Sequence, residues 1–352
     1  MKPSPFRIEP TFSPRIWGTR SLAPIFPEKT NLAEPVGEAW LTDVQCRIAN
    51  GPFAGKTLGE VWSEIPPEWR GARCAAMRDF PLLVKFIFPT DKLSIQVHPD
   101  DAYASVHEVA AGSRGKTEMW HAVSAEPDAK LLLGLKRGVT KREFEAKLGS
   151  NSLEDLFQEI SVEQNDTFFV PARTPHSIGP GVVMCEVQEY SDLTYRLYDY
   201  GRVDLQGKTR QLHIEKALQV IEFDGPVHGK VPSIKWGADN VEVSPLAACR
   251  YFETFKFQFD GLAAFKSDHG AFHQLVFLAG YGEIVWDGGR APYQRGECWF
   301  VPALMERCEF LPSVETTVLR THVPDSAELS SLREQLRLFD ISDEHISKVV
   351  FD

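Results

Sequence analysis

The feature that most constrains this chain is its punctuation. Short apolar runs recur from one end to the other, and Gly or Pro closes them: PLLVKFIF (81–88), KLSIQVH (92–98), AKLLLGL (129–135), DTFFVP (166–171), VVMCEVQE (182–189), HQLVFLAG (273–280) and GECWFVP (296–302). Runs of four to eight residues with this β-branched and aromatic content read as strands of a sandwich or barrel. Helical periodicity is confined to a few places. Residues 140–158 carry two candidate N-caps, Thr140 and Ser152, each with Glu at most three residues beyond. Residues 213–223 and 326–340 are amphipathic at period 3.6. The fold class expected is therefore mostly β with a helical insertion.

A length of 352 residues suits one large or two ordinary domains, and 43% apolar residues can build a real core. The net charge of −11 argues against nucleic acid or anionic lipid as partner, so an anionic ligand would need a local cluster of Lys or Arg. No apolar run approaches the roughly 18 residues of a membrane span. The start, MKPSPFRIEPTF, has no charged segment followed by an apolar one, so no signal peptide is expected. Six cysteines, Cys46, Cys74, Cys185, Cys249, Cys298 and Cys308, form no C-x-x-C pair. That excludes a zinc ribbon and a disulfide framework and suits a reducing cytoplasm, with the thiols as small buried apolar groups.

One stretch resembles another within the chain. NDTFFVPARTPHSI (165–178) lies without a gap on GECWFVPALMERCE (296–309), so that Phe169-Val170-Pro171-Ala172 matches Phe300-Val301-Pro302-Ala303 and His176 falls on Arg307. Two strand ends could share four residues by chance. The alternative is a duplicated β module whose second copy has lost its histidine, leaving the metal chemistry to the first.

The candidate site begins at LSIQVHPDD (93–101). In a strand, Ser94, Gln96 and His98 share one face while Ile95 and Val97 share the other. Polar side chains facing a core are costly without partners, and Gln96 and His98 could offer an oxygen and a nitrogen to a divalent metal. Glu118 in GKTEMWH and His176 in the Pro- and Gly-bounded RTPHSIGPG complete a set of two nitrogens and two oxygens, the donor pattern of a catalytic zinc with room for water. His107, His121, His228, His269, His273, His322 and His345 have no comparable grouping and read as structural or solvated. In EVQEYSDLTYRLYDYGR (186–202), Glu186, Gln188 and Tyr190 alternate, and Arg196 and Arg202 follow a turn; a structural salt bridge explains such a pattern equally well. Lys85 interrupts an apolar strand, where a buried ammonium needs an anionic partner or ligand. Lys85, Lys116 and Ser94 are plausible phosphate ligands in an otherwise acidic chain.

Taken in order, LSIQVHPDDAYA, GKTEMWH, TPHSIGPG and SDLTYRLYDYGR resemble the type I mannose-6-phosphate isomerases, as do Trp17-Gly18 and Gly37-Glu38-Ala39-Trp40. The likeness runs from about residue 14 to 216 and more thinly to the end. It implies two cupin-type (jelly-roll) β-barrels with a helical part and one zinc ion in the first barrel. The units would be 1–135 with 161–205 (catalytic cupin), 136–160 (helical insertion), 206–250 (crossover with a helix) and 251–352 (degenerate cupin with a terminal helix). Gln96, His98, Glu118 and His176 sit at the family's metal-ligand positions, and Arg196 at the position assigned as catalytic. Glu186 matches an acidic residue proposed for proton transfer, a role that would want its pKa raised by burial. Ser94, Lys85 and Lys116 match positions that bind the substrate's phosphate and hydroxyls. The chain departs from the pattern at Arg173, where glycine is usual, and at Tyr200, where Trp is common.

The implied reaction moves a proton between C1 and C2 of a sugar phosphate, mannose 6-phosphate to fructose 6-phosphate, through a cis-enediol. Three other readings stay open: an isomerase or epimerase acting on another sugar, a cupin oxygenase, and a non-catalytic sugar-binding cupin. A redox metal normally wants a histidine-rich set, so Gln96 and Glu118 argue against the oxygenase. A mere sugar binder would need no complete ligand set.

Overall fold

The computed structural model describes every residue except 1, 113, 204–206, 227, 228, 239, 268 and 352, and the side chains of Ala111 and Ala238; His228 thus lies outside the described residues. The punctuated runs form strands. The first half contains β1 (Phe6–Ile8), β2 (Thr11–Thr19), β3 (Val36–Trp40), β4 (Leu82–Ile87), β5 (Ile95–Val97), β6 (Glu118–Ala125), β7 (Lys130–Leu135), β8 (Phe157–Ser161), β9 (Thr167–Val170), β10 (His176–Ile178), β11 (Val182–Glu189) and β12 (Tyr195–Tyr198). The second contains β13 (Trp236–Ala238), β14 (Val241–Ala248), β15 (Glu253–Phe259), β16 (Ala263–Phe265), β17 (His273–Ala279), β18 (Tyr281–Trp286), β19 (Gly289–Gln294), β20 (Cys298–Val301), β21 (Cys308–Pro312) and β22 (Thr316–His322).

These strands form antiparallel sheets with the orders β2-β3-β4-β11-β6-β9 and β12-β5-β10-β7-β8 in the first half, and β1-β20-β17-β22-β15-β14-β13 and β16-β21-β18-β19 in the second. The order β4-β11-β6-β9 recurs as β15-β22-β17-β20, and β5-β10-β7-β8 recurs as β16-β21-β18-β19. The matched segments occupy equivalent places, because β9 and β20 have the same bounds in the gapless alignment. Val170 faces Glu118 across one ladder and Val301 faces His273 across the other. Chance agreement of F-V-P-A does not produce a shared strand order.

Why PLLVKFIF is apolar almost throughout follows from the packing. Leu82, Val84 and Phe86 of β4 join Cys185 and Val187 of β11 in a core shared with Val276, Leu278, Leu319 and Phe300 of the second half. The six- and seven-stranded sheets thus bury facing surfaces against each other, and their central strands are covered on both sides. The opposite face of β4 carries Leu83, Lys85 and Ile87 into the interior of the first half, against residues such as Trp120 and Met184. The second interior is lined by Phe255, Phe257, Leu275, Phe277 and Val318, and helix Ser326–Leu338 closes it with Leu329, Leu332 and Leu336. All six cysteines are buried and free.

The structure departs from the sequence-based boundaries at several points. Phe6–Ile8 pairs with Phe300–Cys298 of the second half, and makes only an isolated bridge, Ile8 to Ile48, within the first. Residues 236–248, expected in a crossover, supply two strands of the seven-stranded sheet, although helix Ile214–Val220 does lie in that segment. In the helical insertion Thr140 caps helix Lys141–Lys147 through a reciprocal capping box with Glu143. Ser152 caps nothing. A short 3₁₀ turn already begins at Asn151, and the Ser152 hydroxyl meets that of Ser150 at 2.7 Å. Among the described residues no helix is long and apolar enough to cross a membrane.

Candidate metal centre and active-site cavity

Gln96 occupies the middle of β5, opposite His176 on β10 and opposite Arg196 on β12. Ile95 and Val97 pack into a core with Phe144, Leu153 and Ala217, so the strand's period of two turns Ser94, Gln96 and His98 toward the facing sheet. That sheet presents Glu118 at the start of β6. Glu118 Oε2 lies 3.7 Å from His98 Nε2, and Glu118 Oε1 lies 3.5 Å from His176 Nε2. The Gln96 amide is 3.3 Å from His176 Nε2. Three distant stretches of chain therefore bring their donor groups to one point.

The hydrogen bonds behind the imidazoles fix what they can do. His98 Nδ1 lies 2.7 Å from the Leu193 carbonyl, and His176 Nδ1 lies 2.9 Å from the Thr174 carbonyl. A carbonyl only accepts, so both rings carry their proton on Nδ1 and present an Nε2 lone pair inward. Burial, with Lys116 nearby, holds His98 well below the usual imidazole range, and burial takes His176 down to about 4. His98 Nε2 and Glu118 Oε1 are buried, with no hydrogen-bond partner among the described residues. Two lone pairs and a carboxylate turned toward one another repel unless something positive stands between them. A divalent cation fits that description, and the His98–Glu118–His176 donor atoms lie within 4.8 Å of one another. The Gln96 oxygen accepts from the Ser94 hydroxyl at 3.2 Å; rotating the amide by half a turn presents that oxygen to the same point.

Beside this point lies a buried network of four charges. Lys116 Nζ is 2.9 Å from Glu118 Oε2 and 3.6 Å from Glu186 Oε1, and Lys85 Nζ is 3.1 Å from Glu186 Oε2. Trp120 Nε1 donates to Glu186 Oε1 at 3.2 Å. The ladder explains the grouping, since Glu186 is the cross-strand partner of both Lys85 and Trp120. Burial pushes Glu118 up to about 8 against the pull of Lys116. For Glu186 the expectation of a raised pKa is corrected: burial alone would raise it, but Lys116 and Lys85 together hold it well below the usual carboxylate range.

Above the network opens a cavity of about 380 Å³, lined by Lys85, Ser94, Gln96, Lys116, Glu186 and Arg196 among others. His98, Glu118 and His176 lie beneath its floor, each no more than 1% exposed. Arg196 donates from Nε to Ser94 Oγ at 3.3 Å and from Nη1 to the Gln211 carbonyl at 3.0 Å. Six of the nine residues singled out from the sequence thus line the hollow, and the other three, His98, Glu118 and His176, meet beneath it. Sequence reasoning missed Arg15, Asp192, Arg210 and His213, which also line it. A usable signal was present for Arg15, two residues before Trp17-Gly18. Arg202, paired with Asp199 at 2.6 Å and with Asp91, forms a structural salt bridge.

Arg173 does not reach the cavity. Its backbone takes the left-handed φ of 73°, which accounts for the glycine usual at this position, and its guanidinium donates to the Val220 carbonyl at 3.0 Å. Tyr200 likewise has φ 58° and hydrogen-bonds Glu154. Among the remaining histidines, His121 is buried with Nδ1 2.9 Å from Thr167 Oγ1, and His107 stacks on Tyr103. His322 departs from expectation: it is grouped with Glu253 and Glu328.

Known proteins resemble this chain over most of its length. A family model for the phosphomannose isomerase type I catalytic domain matches residues 5–130. The probable mannose-6-phosphate isomerase GmuF of Bacillus subtilis (strain 168) is 36% identical over 319 residues, 88% of this chain and 98% of that protein. The crystal structure of the mannose 6-phosphate isomerase from Bacillus subtilis superposes with a TM-score of 0.83 at 29% identity, covering 91% of this chain and all of that one. A Salmonella typhimurium mannose 6-phosphate isomerase, solved with fructose 6-phosphate and zinc, shares the fold at a TM-score of 0.72 and 14% identity, over 92% of this chain and all of that one. On sequence and fold together, this chain belongs to the type I phosphomannose isomerase family.

Proposed function

We propose that this chain is a zinc-dependent aldose–ketose isomerase that interconverts mannose 6-phosphate and fructose 6-phosphate through a cis-enediol. The observation that carries the reading is the convergence of Gln96, His98, Glu118 and His176 beneath a sugar-sized cavity whose wall holds Arg196 and Glu186. Bound by those four residues, zinc would supply an electrophile for the substrate's carbonyl and neighbouring hydroxyl oxygens, without redox chemistry of its own. Its presence is supported by the inward lone pairs described above and by the zinc in the Salmonella relative.

The chain's own residues account for the rest. Arg196 and Ser94, linked at 3.3 Å, both line the cavity and are read as supplying positive charge and a donor to an enediolate oxygen. Glu186 is ionised between Lys85 and Lys116, so it is already in the proton-accepting form and is read as the base that moves the C1–C2 proton. Its low proton affinity means that the polarised carbonyl must supply much of the acidity. Lys85 and Lys116 face the same hollow and are read, with Ser94, as substrate-binding. Arg15 and Arg210 add two cations to the lining of an acidic protein, where a phosphate would position the reacting carbons by remote binding energy.

Each pair of sheets is read as one cupin-type jelly roll, a reading supported by the repeated strand order. The first would hold the catalytic zinc. Six free buried thiols support a cytoplasmic setting, and the charge of −11 argues against nucleic acid as a partner. Chelation followed by a coupled assay on mannose 6-phosphate, with free mannose as control, tests the function. Turnover should vanish without metal and return with zinc, and free mannose should turn over poorly. Undiminished activity in stringently metal-free protein, or equal use of free mannose, overturns the proposal.

A further inference from the structure

We propose that the second half of the molecule contains a divalent-cation site of its own, built by Glu253, His322 and Glu328. His322 Nε2 lies 3.3 Å from Glu253 Oε2 and 3.4 Å from Glu328 Oε1. Ligands held at about 2.1 Å around a tetrahedral ion stand about 3.4 Å apart, so both carboxylate oxygens stand from the imidazole nitrogen at the spacing of a coordination shell, and all three donors lie within 4.8 Å of one another. At the first centre the corresponding distances are 3.5 and 3.7 Å. The histidine and Glu253 are 2% and 6% exposed, so water has little access to soften the juxtaposition.

The strand ladders show how the donors come together. Glu253 and His322 are direct cross-strand partners on β15 and β22. On the next ladder Thr321 faces Gln274, which sets His322 level with His273 at the end of β17. His273 in turn faces Val301, the counterpart of the Val170 that faces Glu118. Glu253, His322 and His273 therefore form one row at the level of the first centre's carboxylate, and the His273 and His322 rings are 4.9 Å apart, as are those of His98 and His176. The second copy has Arg307 in place of His176 but carries donors on neighbouring strands.

Glu328 arrives from the first turn of helix Ser326–Leu338. Its Oε2 accepts from the Asp325 N–H at 3.3 Å and from Arg73 at 2.9 Å, which aims Oε1 at His322. One nitrogen and two carboxylate oxygens suit zinc, manganese or cobalt. An ion here would clamp the helix to the sheet, a structural role independent of the proposed isomerase chemistry.

Equilibrium dialysis of the metal-free full chain against chelator-buffered zinc, with the bound metal counted, tests this. The wild type should bind two zinc ions, His322→Gln one, and Glu118→Gln one; H322Q should keep wild-type turnover within about twofold. Cobalt bound to Glu118→Gln should show a visible spectrum that is lost when His322→Gln is added. If H322Q does not fold, Glu328→Gln on the helix serves in its place. One zinc per wild-type chain, lost entirely in Glu118→Gln, overturns the second site, as does retention of both ions in H322Q and E328Q. Failure of the first-site reading looks different, since Glu118→Gln would then lose nothing.

Discussion

The sharpest test of the buried charge network is a double-mutant cycle on Lys85 and Glu186. Their charged atoms are 3.1 Å apart, with the residues 2% and 3% exposed. At an effective dielectric constant of about 20 the attraction at that distance is about 5 kcal/mol. Lys85→Met leaves Glu186 with Lys116 at 3.6 Å and the Trp120 N–H. Glu186→Gln leaves the Lys85 ammonium buried, with the face of Trp40 5.1 Å away. Breaking a buried pair from one side should cost about 3–5 kcal/mol in either case. Removing both charges should cost less than the sum of the two by about 2–4 kcal/mol, because neither is then stranded. Urea unfolding of the chelated protein measures this without stability contributed by bound metal. Unfolding entropy of about 2.1 cal/mol/K per residue over 352 residues translates each single cost into a fall of about 4–7 °C in Tm. Single costs that add within about 0.5 kcal/mol would refute the coupling, and with it the claim that Lys85 keeps Glu186 ionised.

Three further outcomes follow from named geometry. Arg196→Ala should lower kcat by about 100- to 1000-fold while KM moves only a few-fold; the reverse pattern in steady-state kinetics would make Arg196 a residue of ground-state binding. Glu186→Gln should stop exchange of the C2 proton with deuterated solvent, followed by NMR, and exchange at the wild-type rate would place the base elsewhere. His121 is held neutral by burial, its pKa taken down to about 3. Its folded value lies below the unfolded one of about 6.5, so the unfolded chain binds the extra proton and stability falls as pH drops from about 6.5 toward 3, by up to about 1.4 kcal/mol per unit. His121→Gln should remove that part of the acid loss in unfolding measured against pH, and an unchanged slope would show that His121 is not buried neutral.

What could be read from residues alone is what local periodicity controls. The alternation in LSIQVH put Ser94, Gln96 and His98 on one face because a strand has a period of two, and Lys85 announced itself because an ammonium in PLLVKFIF needs a partner. Properties set by register were out of reach. Burial of Glu186 is visible as a tendency of its strand, but its proton affinity depends on two ammonium ions, Lys85 from β4 and Lys116 from just before β6, and these reverse the sign that burial alone suggests. Ser152 matched a helix N-cap pattern, yet the turn starts at Asn151, so the match had no helix to serve. The second half teaches the same lesson from the other side. Gapless comparison of 165–178 with 296–309 tests one strand, the loop after it and the start of the next strand, and there Arg307 replaces the histidine. Donors to an ion can instead come from cross-strand neighbours. Glu253, His322 and Glu328 belong to no shared motif and stand on two strands and a helix. Duplicated folds can thus preserve the level at which ligands are offered while changing the strands that offer them, so the loss of one histidine from a repeat is weak evidence that its chemistry is gone.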